Sequence, residues 1–117
     1  MEVRSETVEG IHCVFLKGRL DITGTQSVDL KFTALTSTRR EHVIVDISEV
    51  DFISSIGMRL LATNAKTLQA TGSKMILVNP QKVVEDSLRM AGIDDLIPIT
   101  DSASAVALIL GPRPVNP

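Results

Sequence analysis

Tryptophan and tyrosine are missing from this chain, and phenylalanine occurs only three times in 117 residues. Any core must therefore be built from Ile, Leu, Val, Ala and Met. Cys13 is the single cysteine, which excludes an internal disulfide and fits a reducing compartment. Basic residues number 12 against 14 acidic ones, a net charge of −2, and no basic block exists beyond Arg39-Arg40. A nucleic-acid binder needs a basic face for phosphates and often exposed aromatics for base stacking, so nucleic acid is excluded as a partner. The longest apolar run, Ala105 to Leu110, falls far short of the roughly 20 residues that cross a bilayer. The opening Met1-Glu2-Val3-Arg4-Ser5-Glu6 lacks the apolar stretch of a signal peptide. These absences predict a cytoplasmic protein without a membrane segment whose partners are other proteins.

The usual marks of catalysis are also missing. Neither G-x-G-x-x-G nor G-x-x-x-x-G-K-[ST] occurs, so no phosphate-cradling loop is expected. His12 and His42 have no carboxylate or second histidine at ligand spacing, and both are expected on strand surfaces. Cys13, in an alternating strand, is expected as a small core residue and not as a nucleophile. Asp94-Asp95 reads as a turn. The sequence predicts no catalytic group, no metal and no cofactor.

What is present is a regular alternation. Glu2–Val8 and Ile11–Leu16 read as strands joined at Glu9-Gly10, with Gly18 to Asp21 closing the hairpin. Thr23–Ser37 spaces Val28, Phe32 and Leu35 helically, capped by Thr23 or Thr25. His42–Ile47 reads as a buried central strand. Ser54–Thr71 is the longest helix, stopped at Gly72. Met75–Val78 is a further strand. A third helix starts at Asn79-Pro80 and runs to about Met90, Leu96–Ile99 is a short strand, and Asp101 or Thr100 caps a last helix to about Leu110. This order predicts an α/β fold: one mixed, mostly parallel sheet of about five strands, an antiparallel N-terminal edge strand and about four helices. Residues 1–110 form the domain, and 111–117, with three of the five prolines, are expected to be a disordered tail.

The segment from Val50 to Leu61 is the informative one, because two serines join an apolar strand to the longest helix. Free backbone N–H groups and the helix dipole favour an anion there, so a serine can serve either as a plain cap or as a phosphate acceptor. At about 100° per residue, Met58, Leu61, Ala62, Ala65 and Leu68 share a stripe that should face the sheet. Ile56 and Leu60 then fall on the opposite side with Arg59 and Thr63, where two large apolar residues predict a docking patch for a partner.

Three stretches resemble the STAS-domain anti-anti-sigma factors, the anti-sigma factor antagonists of bacterial partner-switching systems. Leu16-Lys17-Gly18-Arg19-Leu20-Asp21 is similar to that family's L-x-G-x-L-D. Val43 to Ser48 resembles its central strand, and Phe52-Ile53-Ser54-Ser55-Ile56-Gly57-Met58-Arg59 aligns with its F-[MI]-D-S-[ST]-G-L-G. The resemblance covers roughly Met1 to Leu110 and implies that Ser55 is phosphorylated by an anti-sigma factor with serine-kinase activity, using ATP. It further implies that a PP2C-type phosphatase reverses the modification, and that only the unphosphorylated form binds the anti-sigma factor and frees its sigma factor. Asp21, Ser54, Ile56, Met58, Arg59 and Leu60 are the implied partner-binding residues. Three positions depart from the motif: Ser54 replaces an acid, Ile56 a Ser/Thr and Arg59 a glycine. Ser54 is thereby a competing acceptor. A structural or scaffold STAS module without phospho-switching, and a small nucleotide-binding α/β domain, are the alternatives. The oligomeric state stays open, a monomer being favoured.

Overall fold

The computed structural model describes residues 1–111. Its strands are β1 (Glu2–Val8), β2 (Ile11–Leu20), β3 (Val43–Ile53), β4 (Met75–Val78) and β5 (Ile99–Thr100). Its helices are α1 (Ile22–Leu35), α2 (Ser55–Ala70), α3 (Lys82–Met90) and α4 (Ser102–Leu110). Sheet order follows chain order, with β1 antiparallel to β2 and the remaining neighbours parallel. The expected mixed sheet with an antiparallel N-terminal edge and four helices is what the chain adopts.

A monotonic strand order with right-handed crossovers sends successive connecting helices to the same face. Accordingly α1, α2 and α3 supply Val28, Phe32, Leu61, Ala65, Leu68, Val84 and Leu88 to one core with Val14, Val43, Val45 and Leu77 of the sheet. Strand alternation turns Ile11, Cys13, Ile44, Ile76 and Val78 to the other face, where α4 covers them with Ala105, Val106 and Ile109. A strand buried on both sides cannot alternate in polarity, which explains the unbroken runs Val43-Ile44-Val45 and Met75-Ile76-Leu77-Val78. Among the described residues no helix is long and apolar enough to cross a membrane.

Several boundaries differ from the sequence reading, each for a tertiary reason. β2 does not end in a hairpin closure at Gly18. It continues to Leu20 beside β3, with register shifts between Phe15 and Lys17 and between Gly18 and Arg19 and with Gly18 at φ 116. β3 likewise runs six residues past Ile47, because its second half pairs with β2 out to Leu20 opposite Ile53. The cap of α1 is Asp21, not Thr23 or Thr25. Asn79 does not cap α3: it sits at φ 58 and its N–H bonds the Thr100 carbonyl at 3.0 Å, so the helix begins only at Lys82. β5 forms at Ile99–Thr100 and not from Leu96, since Ile93–Asp95 winds as a 3-10 turn that takes in Asp94 and Asp95. His12 is not on the surface: it is buried, and its Nε2–H donates to the Leu35 carbonyl at 2.6 Å, closing the C-terminal end of α1. His42 is half-buried and its Nδ1 accepts the Lys74 N–H at 3.0 Å. Cys13 is buried, and burial, helped by the charges of Glu6 and Asp46, pushes its thiol pKa up. Of the expected tail, Gly111 ends α4 and residues 112–117 lie outside the described residues.

Leu61 is fully buried whereas Leu30, on α1, is 89% exposed. Truncating Leu61 to Ala should therefore cost about 2–5 kcal/mol of unfolding free energy, and Leu30→Ala less than about 0.5 kcal/mol. Urea denaturation of the two variants beside the parent chain measures the difference.

Candidate functional site

β2 and β3 end at the same level, and from their ends two helices depart together. Leu20, the last residue of β2, is register partner of Ile53, the last residue of β3. One residue further on, each strand supplies a helix cap. Asp21 is extended (φ −84°, ψ −171°) and accepts the Gly24 N–H at 2.7 Å on its Oδ1. Ser54 is extended too (φ −94°, ψ 171°), and its Oγ accepts the Gly57 N–H at 3.3 Å. Ser54 does more than cap. Its Oγ donates to the Leu20 carbonyl at 2.7 Å and its own N–H reaches the same oxygen at 2.9 Å. The start of α2 is thereby bonded to the end of the neighbouring strand.

The third residue after each cap is glycine, and packing demands it. A Cβ on Gly24 would lie 1.9 Å from the Arg19 carbonyl oxygen, and one on Gly57 would lie 2.8 Å from the Leu20 carbonyl and 2.9 Å from the Leu20 Cβ. Such distances cannot be accommodated without moving backbone. The glycine signal in Ser54-Ser55-Ile56-Gly57 thus reflects a helix end pressed onto a strand end.

The two serines are consequently unlike. Ser54 is half-buried with its hydroxyl engaged on both sides. Ser55, the first residue of α2, is exposed and makes no side-chain hydrogen bond among the described residues. Apolar side chains are exposed at this end of the sheet: Ile56, next to Ser55 in the chain, is 36% exposed, and Phe52 (37%) and Ile22 (57%) line one pocket with Ser54. Met58 is half-buried against the core, and Arg59 is exposed. Leu60 corrects the sequence reading. It is only 6% exposed and belongs to the main core, so it is not part of an outward patch. The physical reason is that α2 packs against α1 as well as against the sheet, which widens its buried stripe to take in Leu60 and Asn64. Asn64 is fixed there by a bond from the Ser37 hydroxyl at 2.6 Å. A groove of about 350 Å³ runs between α1 and α2, with Asp29 and Thr33 on one wall and Ile56, Arg59 and Thr63 on the other.

Ile22, Phe52 and Arg19 were not singled out from the sequence. The Arg19 guanidinium lies 4.4 Å from the Phe52 ring centroid and 3.5 Å from the Asp21 carboxylate, a cation–π and ionic bridge over the two strand ends. Ile22 could have been found as a large apolar residue directly after a cap, where a first-turn side chain points away from the sheet. The Gly24 N–H holds the Asp21 carboxyl below the usual carboxylate range, and Arg19 adds to that effect. Asp101 is held low by the same kind of cap, to Ser104.

Fold and site define a small α/β domain whose distinctive surface is a helix start with an exposed serine, unbonded through its side chain among the described residues, next to an exposed Ile56. The STAS domain family model matches residues 2–105, and the chain belongs to that family. It is 22% identical over 107 residues to the candidate anti-sigma factor antagonist BtrV of Bordetella bronchiseptica, covering 92% of each chain. It is 23% identical over 103 residues to the anti-sigma F factor antagonist of Paenibacillus polymyxa, covering 87% of this chain and 88% of the other. Among solved structures, unphosphorylated SpoIIAA superposes with TM-score 0.76 at 19% identity over 97% of this chain and 100% of that one. The phosphorylated form of Bacillus SpoIIAA gives 0.66 at 17% over 92% and 99%.

Two outcomes follow from the caps and glycines. Gly57→Ala should destabilise the fold by about 1–3 kcal/mol, the usual cost of forcing a methyl group into packed surroundings; thermal unfolding by circular dichroism reads it. A carboxyl whose pKa is lowered on folding stabilises the native state above its unfolded pKa, near 3.9, and that contribution disappears as pH falls through the folded value. Asp21→Asn should therefore lower stability at neutral pH, and the gap between parent and variant should close as pH drops below about 4, measured as denaturation midpoints across that range.

Proposed function

We propose that this protein is an anti-sigma factor antagonist switched at Ser55: the unphosphorylated form binds an anti-sigma factor that is also a serine kinase, and phosphorylation of Ser55 blocks that binding. The single observation that carries the reading is the difference between the two serines. Ser54 has its hydroxyl committed to the Leu20 carbonyl and the Gly57 N–H, whereas Ser55 presents an unengaged hydroxyl at the exposed head of α2. A kinase must reach its acceptor oxygen, and phosphorylating Ser54 would break the bond that seats the helix. The motif position points to the same residue, and the names of BtrV and of the Paenibacillus protein point to the same class.

The switch works by contrast of solvation. Ile56 next to Ser55, with Phe52 and Ile22 beside Ser54, offers apolar area whose burial contributes about 3–5 kcal/mol before association costs. A phosphate brings about −1.5 to −2 charges into that contact. If the partner leaves it unpaired, several kcal/mol of desolvation opposes binding, while the helix start offsets only about 0.3–1 kcal/mol. Release therefore requires no refolding of the antagonist. Met58, half-buried beneath the surface, supports the shape of the patch, while Asp21 and Arg59 flank it as polar contacts. A PP2C-type phosphatase acting on phospho-Ser55 resets the cycle.

Phosphopeptide mapping after incubation with the cognate kinase and ATP should place the label on Ser55. Ser54→Ala should still be labelled, and Ser55→Ala should not. In binding measurements Ser55→Ala should retain affinity for the kinase while Ser55→Asp and Ile56→Ala each lose at least about tenfold, the equivalent of 1.4 kcal/mol. Labelling of Ser55→Ala at the parent rate would overturn the assignment.

A further inference from the structure

Arg59 stands where the family motif carries glycine, four residues after Ser55 on α2. Residues four apart on a helix lie on one face, with Cβ atoms about 5–6 Å apart, and both side chains are exposed. Every other arginine of the domain but Arg40 is already engaged: Arg4 with Glu6, Arg19 with Asp21, Arg39 with Glu41, and Arg89 with Glu85 and Asp94. Arg59 makes no ion pair or hydrogen bond among the described residues, although Asp29 faces it across the groove between α1 and α2.

We propose that Arg59 is a built-in clamp for the phosphate on Ser55, closing an i,i+4 charge-assisted bridge that forms only in the phosphorylated state. The inference rests on the reading of Ser55 as the phosphorylated residue and adds what becomes of the phosphate afterwards. Serine offers the guanidinium no charge to pair with, so the bridge is absent before modification. A phosphate dianion supplies oxygens that match the planar fork of an arginine. Its order along the helix, anion before cation, is the favourable one for an i,i+4 pair. A motif glycine at this position has no side chain and cannot make the bridge. The clamp therefore stabilises the phosphorylated form of this chain.

Asp29 of α1 lines the groove with Arg59, and Asp21, which lines the neighbouring pocket with Ser54, is paired with Arg19 of β2. The two aspartates disfavour the phosphate dianion, so any lowering of its second ionisation must come from a cation that outweighs them. Arg59, unpaired among the described residues and one turn along from Ser55, is placed to do so.

The test uses chain carrying phosphoserine installed at position 55 by semisynthesis, so that it does not depend on any kinase. Phosphorus-31 NMR titration of the parent, Arg59→Gln and Arg59→Lys proteins reads the second ionisation of the phosphate. The parent should ionise about 0.5 pH unit lower than Arg59→Gln, a threefold change equal to about 0.7 kcal/mol. Arg59→Lys should fall between them, and the gap should shrink as salt rises from 20 mM to 0.5 M. The unphosphorylated parent and Arg59→Gln proteins should unfold at the same temperature, because the bridge does not exist in them. Identical titrations of parent and Arg59→Gln, or a gap insensitive to salt, would overturn the clamp. Failure of a cognate kinase to label Ser55 would overturn the switch and leave the titration result standing, so the two ideas fail separately.

Discussion

The carbonyl oxygen of Leu20 is the point on which the site depends. It terminates β2 and takes two hydrogen bonds from one residue of the next strand's exit, the N–H and the hydroxyl of Ser54. Main-chain and side-chain donors converging on one acceptor fix both the position and the direction of α2 as it leaves the sheet. Gly57 must then be bare, since the helix passes over the same Leu20. Once α2 is seated this way, Ser55 has no choice but to stand at its first exposed position, with Ile56 beside it. The site is the geometric consequence of two adjacent parallel strands ending at one level and each starting a helix.

That arrangement also gives meaning to the replacement of the motif's acid by Ser54. A helix cap needs an oxygen that accepts from the third residue of the helix, and serine satisfies this as an aspartate would. Serine adds a donor that an ionised carboxylate lacks, and that donor is spent on Leu20. The substitution thus preserves the local structure while removing one negative charge from beside Ser55. The same charge arithmetic makes Arg59 significant, for this chain loses an anion and gains a cation within one helical turn of its exposed serine.

The close packing of this corner suits the proposed regulation by a small modification. Under the proposed switch, a phosphate on Ser55 would act on solvation and charge at the surface, above a core to which Leu60, Leu61 and Ile53 all belong. The neighbouring Arg19, laid over Phe52 and bridged to Asp21, holds the opposite rim of the patch in place.

The alternation of apolar strands with amphipathic helices determined the sheet, its antiparallel edge and the existence of all four helices, because burial period is written locally in residues such as Val43-Ile44-Val45 and Val28, Phe32. The glycine and serine pattern likewise marked the strand-to-helix junction that forms the candidate site. Sequence alone did not determine how far β2 and β3 extend, since Gly18 to Leu20 and Ser48 to Ile53 become strand only by pairing with each other. Nor did it decide that Leu60 turns inward, that His12 closes α1, or which of two serines is left free. Those outcomes depend on what lies across from each residue, and a helical wheel assumes one buried face whereas α2 buries two, against α1 and against the sheet.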